Sequence, residues 1–131
     1  MHLHHLIKNI PFKGKADTRD IKAIIYDSRK VKPGSLFIAI NGENYDGEKF
    51  ISQAIQNGAT AILSKKNGEL INSIPFIHVK NPRQAMSKIS AQFYGNPSKK
   101  MQVIGITGTN GKTSITQILY QILSRLNKNC G

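Results

Sequence analysis

With 131 residues, 39% of them apolar, the chain is long enough for one ordinary domain, or for a small domain joined to part of another. No apolar run of about 18 residues occurs, which excludes a membrane-spanning helix, and the opening Met1-His2-Leu3-His4-His5-Leu6 lacks the basic start and apolar core of a secretory signal. A single cysteine, Cys130, excludes an internal disulfide and agrees with a reducing compartment.

The net charge of +12 is unevenly distributed: every acidic residue lies at or before Glu69, and residues 70–131 carry eight Lys/Arg against none. Three explanations fit that excess: nucleic-acid binding, anionic small-molecule ligands, and a merely lysine-rich composition. The basic residues are scattered and no aromatic residues interleave with them, so charge alone does not choose.

Leu3, Leu6, Ile7 and Ile10 have helical spacing, and Pro11 ends that segment. His2, His4 and His5 have no cysteine or acidic neighbour and read as solvent-facing rather than as metal ligands. After a polar stretch, Ile21–Tyr26 reads as a strand, followed by Asp27-Ser28-Arg29 and the turn pair Pro33-Gly34. Leu36–Ile40 is a short apolar strand, and residues 41–47 form a glycine-containing loop. Phe50, Ile51, Ala54 and Ile55 mark a helix capped by Asn57-Gly58, and Ala59–Leu63 is the next strand. Strand, helix and strand over so short a span make a βαβ unit, so at least part of the sheet is parallel. Ile74–Val79 is a further strand. Asn81-Pro82 then supplies a cap and a proline at the first helical position, and Ala85, Met86, Ile89 and Phe93 continue the helix up to Gly95-Asn96-Pro97-Ser98. A domain boundary falls there, dividing residues 1–98 from 99–131.

The last segment is the most informative. Val103, Ile104 and Ile106 read as a buried strand, Gly108-Thr109-Asn110-Gly111 as a turn, and Lys112-Thr113-Ser114 as the opening of a helix. Ile115, Ile118, Leu119, Ile122, Leu123 and Leu126 recur on one helical face. Strand, glycine turn and helix start form a phosphate cradle. Unpaired N–H groups point at the anion, Lys112 neutralises it, and the Thr113 hydroxyl suits Mg²⁺. The spacing departs from the strict P-loop pattern, since Ile106 stands where its first glycine belongs. A tight strand-to-helix turn without a ligand is the plainer alternative.

Thr107-Gly108-Thr109-Asn110-Gly111-Lys112-Thr113-Ser114 resembles the ATP loop of the Mur ligases, which form the amide bonds of the peptidoglycan stem peptide. Tyr26-Asp27-Ser28-Arg29 with Pro33-Gly34-Ser35-Leu36-Phe37 is similar to the first-domain signature of the third and fourth enzymes of that family. Phe93-Tyr94-Gly95-Asn96-Pro97-Ser98 is similar to the MurE branch. The resemblance implies an α/β fold: a small N-terminal domain with a βαβ unit and a mixed sheet, then the first strand, P-loop and helix of an ATP-binding domain. It implies that residues 1–98 bind UDP-N-acetylmuramoyl-L-alanyl-D-glutamate through Tyr26, Ser28, Glu43, Asn44 and Tyr45. It also implies that Gly108, Thr109, Asn110, Gly111, Lys112, Thr113 and Ser114 hold ATP, with Thr113 on Mg²⁺.

The implied activity is an ATP-dependent ligase that joins a diamino acid, meso-diaminopimelate favoured over L-lysine, to that substrate through an acyl phosphate. The implied enzyme is cytoplasmic and monomeric, with no nucleic-acid or membrane partner. The chain is expected to be an N-terminal fragment, inactive alone. For Asp27-Ser28-Arg29 the plain alternative is a turn held by local side-chain bonds. For the whole chain the alternatives are a non-catalytic uridine-nucleotide or ATP-binding module, a MurF-type ligase, and a basic nucleic-acid binder. Asn81-Pro82-Arg83 is similar to part of a C-terminal motif that chooses the diamino acid, but at this position it reads only as a helix start.

Overall fold

The computed structural model describes residues 1–42, 46–66, 73–126, 128 and 130. The chain divides into two compact units, Met1–Pro97 and Ser98–Gly131.

The first unit is built on four strands, β1 (Ala23–Ile25), β2 (Ser35–Ile38), β3 (Ala59–Ser64) and β4 (Phe76–His78), hydrogen-bonded in chain order. Every neighbouring pair is parallel. The sheet is therefore not mixed, as the resemblance implied. Among the described residues, antiparallel pairing outside the strands is confined to single bridges, at His2–Asp20, Lys13–His78 and Asn41–Asp46. The reason is visible between β2 and β3, where the connection carries α2 across a face of the sheet instead of folding into a hairpin.

β2 is buried along its whole length, and its side chains alternate between two cores. Leu36 and Ile38 join Ala61, Leu63 and Ile77 on one face. There they meet Leu3, Leu6 and Ile7 of α1 (Leu3–Ile7) and Ala85 and Ile89 of α3 (Pro82–Phe93). Phe37 and Ile62 turn to the other face and pack with Val31, Ala54 of α2 (Ile51–Gln56) and Phe76. The result is a three-layer arrangement of helix, sheet and helix. Each large side chain so buried contributes about 1.5–3 kcal/mol.

Local chemistry sets the helix ends. The Asn81 side chain accepts from Gln84 N at 3.0 Å, with Pro82 in the first turn of α3. At the far end of α3, Gln92 reaches α1, donating to the His5 carbonyl at 2.7 Å and accepting from Asn9 at 3.1 Å. Arg19 ties the N-terminal arm to the sheet: it pairs with Asp17 and donates to the Thr60 carbonyl at 2.8 Å. Lys13 and His78 exchange two backbone hydrogen bonds, of 2.9 and 2.8 Å, along the outer side of β4. His2 and His5 are exposed and His4 is half-buried, its Nδ1 unpaired. Their rings lie 4.1–6.4 Å apart, and no group of three His, Cys, Asp or Glu side chains converges among the described residues.

In the second unit α4 (Lys112–Arg125) forms as its periodicity predicts. Residues 103–106 do not form the buried strand expected of them. They carry no strand pairing, and Val103 and Ile104 are 71% and 51% exposed. A strand exists through its ladder, and no described segment of residues 98–131 is extended beside this one. The apolar stripe of α4 is likewise open, with Ile115, Ile118, Ile122 and Leu126 all exposed. Among the described residues, no helix is long and apolar enough to cross a membrane.

Candidate functional site

In a parallel sheet the loops after the strands gather at the carboxyl edge, where ligands of α/β folds bind. Here that edge holds a cavity of about 810 Å³. Tyr26, Asp27, Ser28 and Arg29 enter it directly from the end of β1, and Ile40 and Gly42 from the end of β2. Phe50 and Gln53 line it from the start of α2, and Arg83 and Met86 from one face of α3.

Two of the sequence-predicted substrate residues, Tyr26 and Ser28, meet in this cavity. Tyr26 is 63% exposed, a flat ring at the mouth. Ser28 is only 2% exposed; its hydroxyl donates to Gln53 Oε1 at 2.6 Å, and its carbonyl accepts from Asn57 Nδ2 at 2.9 Å. The Ser28 oxygen is thus inside the wall, while Gln53, which accepts its bond, is exposed. Glu43, Asn44 and Tyr45 lie outside the described residues.

Asp27 caps the 3-10 turn Ser28–Lys30, accepting from Arg29 N at 3.1 Å. The Arg29 guanidinium adds two further bonds to its carboxylate, at 3.0 and 2.8 Å. Those side-chain bonds, ahead of the backbone bond and the nearby positive charges, pull the Asp27 carboxyl down to about 2. Local side-chain bonds of the kind anticipated are present, and they build a cavity wall.

The loop after β2 is clasped at its base. Asn41 Oδ1 accepts from Gly47 N at 2.9 Å, and Asp46 accepts from Glu48 N at 3.1 Å. A Cβ on Gly47 would stand 2.4 Å from the Ile40 carbonyl oxygen and 2.7 Å from its nitrogen, so only glycine fits there. The Glu48 side chain is 5% exposed. Its Oε1 accepts from Ser64 Oγ and Lys66 N, both at 3.1 Å, and Lys66 Nζ lies 2.8 Å from Oε2 as an ion pair. That carboxylate pins the loop to the end of β3.

Sequence reasoning missed Gln53, Phe50, Ile40, Met86 and Arg83. Gln53 had a usable signal, one turn of α2 from the apolar positions that were read. Arg83 stood in a tripeptide read only as a helix start.

In the second unit, Gly111 adopts φ +77° and hands the chain to α4, whose first backbone bond runs from Ile115 N to the Gly111 carbonyl at 2.9 Å. The N–H groups of Lys112, Thr113 and Ser114 precede that bond and face outward, as an anion cradle requires. The Lys112 ammonium is folded over the loop, donating to the Gly108 carbonyl at 2.6 Å. A Cβ on Gly111 would meet nothing within 4 Å, and the loop from Gly108 to Ser114 is exposed. This donor set fits a polyphosphate, and the Thr113 hydroxyl beside it fits a hard cation.

A family profile described as Mur ligase family, catalytic domain, matches residues 20–94. The chain belongs to the Mur ligase family. That match covers the strands and helices that surround the cavity and ends before the glycine loop. The UDP-N-acetylmuramoyl-L-alanyl-D-glutamate–2,6-diaminopimelate ligase of Listeria monocytogenes is 46% identical over 125 residues, spanning 94% of this chain and 25% of the relative. MurF from Acinetobacter baumannii superposes with a TM-score of 0.71 at 27% identity, over 95% of this chain and 28% of that one. MurF from Thermotoga maritima, solved in complex with ADP, gives 0.59 at 33% identity, over 79% of this chain and 23% of that one. This chain therefore spans about a quarter of the length of the Mur ligases it matches. The α/β fold expected from the sequence is the fold these family members share.

Proposed function

We propose that the chain supplies the uridine-nucleotide site and the ATP loop of a Mur ligase that joins a diamino acid to UDP-N-acetylmuramoyl-L-alanyl-D-glutamate. One observation carries the first half: a cavity at the carboxyl edge of β1 and β2 that combines apolar walls with the Ser28–Gln53 pair. Phe50, Ile40 and Met86 suit the faces of a pyrimidine, and the Gln53 amide suits the carbonyl edge that distinguishes uracil. The 46% identity to a diaminopimelate ligase favours MurE-type chemistry over the MurF type, where the two superposed structures are 27% and 33% identical.

The second half rests on the loop. Lys112 would leave the Gly108 carbonyl for phosphate, the N–H groups from Lys112 to Ser114 would hold the same oxygens, and Thr113 would hold Mg²⁺. ATP, when bound, supplies the phosphoryl group that activates the substrate carboxylate. Residues 1–98 then serve to hold that substrate by its nucleotide, and residues 99–131 begin the ATP-binding part.

Calorimetric titration of the chain with UDP, ADP and CDP tests the reading. UDP should bind at least tenfold more tightly than CDP and perturb the amide signals of Ser28 and Gln53. Equal binding of UDP and CDP, or perturbation confined to residues 98–131, would refute it.

A further inference from the structure

Around the cavity the charges are unequally matched. Asp27 and Arg29 neutralise one another through the bonds described above. Arg83 also lines the cavity, yet neither a hydrogen bond nor an ion pair engages its guanidinium among the described residues. Its position is firmly held all the same. The Asn81 cap and Pro82 fix the first turn of α3, and Ala85 and Ile89 anchor the helix from the opposite face in the core. Met86, one turn on, shares the cavity wall with it. An uncommitted guanidinium carried on a fixed helical turn beside an apolar cavity suits an anion, and its planar fork matches phosphate oxygens.

We infer that Arg83 is a binding residue for the diphosphate of the nucleotide ligand. The pyrimidine lies toward Ser28 and Gln53, and the phosphates lie toward the first turn of α3. The inference rests on the uridine-nucleotide reading and adds to it the orientation of the ligand and the residue that recognises its charge.

Uridine, UMP and UDP, titrated into the whole chain and into its Arg83→Gln, Arg83→Lys and Lys80→Ala variants, test it. Lys80 is an exposed neighbour outside the cavity wall, so its loss reports only the general effect of one positive charge. In the unmodified chain, affinity should climb from uridine to UMP to UDP. Arg83→Gln should weaken UDP at least tenfold and uridine less than twofold, with Arg83→Lys in between and Lys80→Ala unchanged. Thermal melts alongside should agree among all four proteins, because Arg83 is exposed.

Equal weakening of uridine and UDP by Arg83→Gln would make the residue part of the wall and overturn the inference. So would UDP affinity that is indifferent to the substitution, or an equal loss in Lys80→Ala. If the unmodified chain binds none of the three, the nucleotide reading itself falls, an outcome distinct from the others.

Discussion

The Ser28 hydroxyl donates to Gln53 Oε1 across 2.6 Å, joining the end of β1 to the first turns of α2. A buried donor thereby fixes the orientation of an exposed amide, leaving the Gln53 NH₂ group for a ligand. Replacing Ser28 by alanine should cost about 1 kcal/mol of stability and lower UDP affinity about fivefold to tenfold. Chemical denaturation and calorimetry separate the two effects. If stability falls and affinity holds, the motif is a structural turn and nothing more.

The Asp27–Arg29 pair predicts where the cavity responds to pH. The carboxyl is held near 2 in the folded chain, below an ordinary value of 3.8. A lowered carboxylate stabilises the fold fully above its unfolded pKa, and that contribution disappears as pH falls through the folded value. The pair should thus be constant above pH 4 and lost between about 4 and 2. A carbon-13 titration of the Asp27 carboxyl should give a midpoint near 2, and Arg29→Ala should return it toward 3.8. An unmoved midpoint in that variant would remove Arg29 as the cause.

Glu48 should matter more than its ion pair does. Its side chain is 5% exposed, whereas that of Lys66 is 74% exposed. Glu48→Ala should cost about 1–3 kcal/mol, because it leaves the buried Ser64 hydroxyl without its acceptor, while Lys66 N keeps its second one, Ser64 Oγ at 3.0 Å. Lys66→Ala should cost less, because the Lys66 side chain is exposed and the carboxylate keeps its bonds from Ser64 Oγ and the residue 66 N–H. Urea melts of both variants check the ordering, and equal losses would contradict it.

Gly47→Ala forces a Cβ against the Ile40 backbone, where no flexible side chain can yield. The loop must shift, at a cost of about 1–3 kcal/mol. Because Ile40 lines the cavity, UDP affinity should fall along with the melting temperature. Unchanged affinity would mean that the loop is not coupled to the site.

Lys112 is bonded to its own loop, so phosphate must displace the Gly108 carbonyl from it. In a ligase that carries this segment, Lys112→Ala should lower turnover by on the order of 10²–10³ while UDP affinity stays within about twofold. Near-normal turnover would refute the phosphate role.

What was legible in the sequence was whatever periodicity and turn chemistry encode locally. Leu3, Leu6, Ile7 and Ile10 are buried as their spacing indicates, and Asn81-Pro82 opens α3 as read. Side chains that act across distance in the chain were not legible. Ser28 and Gln53 stand 25 positions apart, and nothing in the composition around either reveals the bond between them. Arg83 belongs with Asp27 and Ile40 only because parallel crossovers bring three loops to one edge. Residues 103–106 erred in the other direction. Their apolar pattern suits a buried strand, but a strand also requires a neighbour, which a local pattern cannot supply.

Lys13 and His78 exchange both backbone hydrogen bonds along the outer side of β4. An unprotected β4 would offer a row of free N–H and C=O groups to any extended peptide, including another copy of the same chain. One bridge from the N-terminal arm therefore acts as a chaperone in miniature, closing the margin at which intermolecular stacking would begin. Trimming the arm past Lys13 would leave that margin open, and the lifetime of the chain in solution would then depend on how crowded it is.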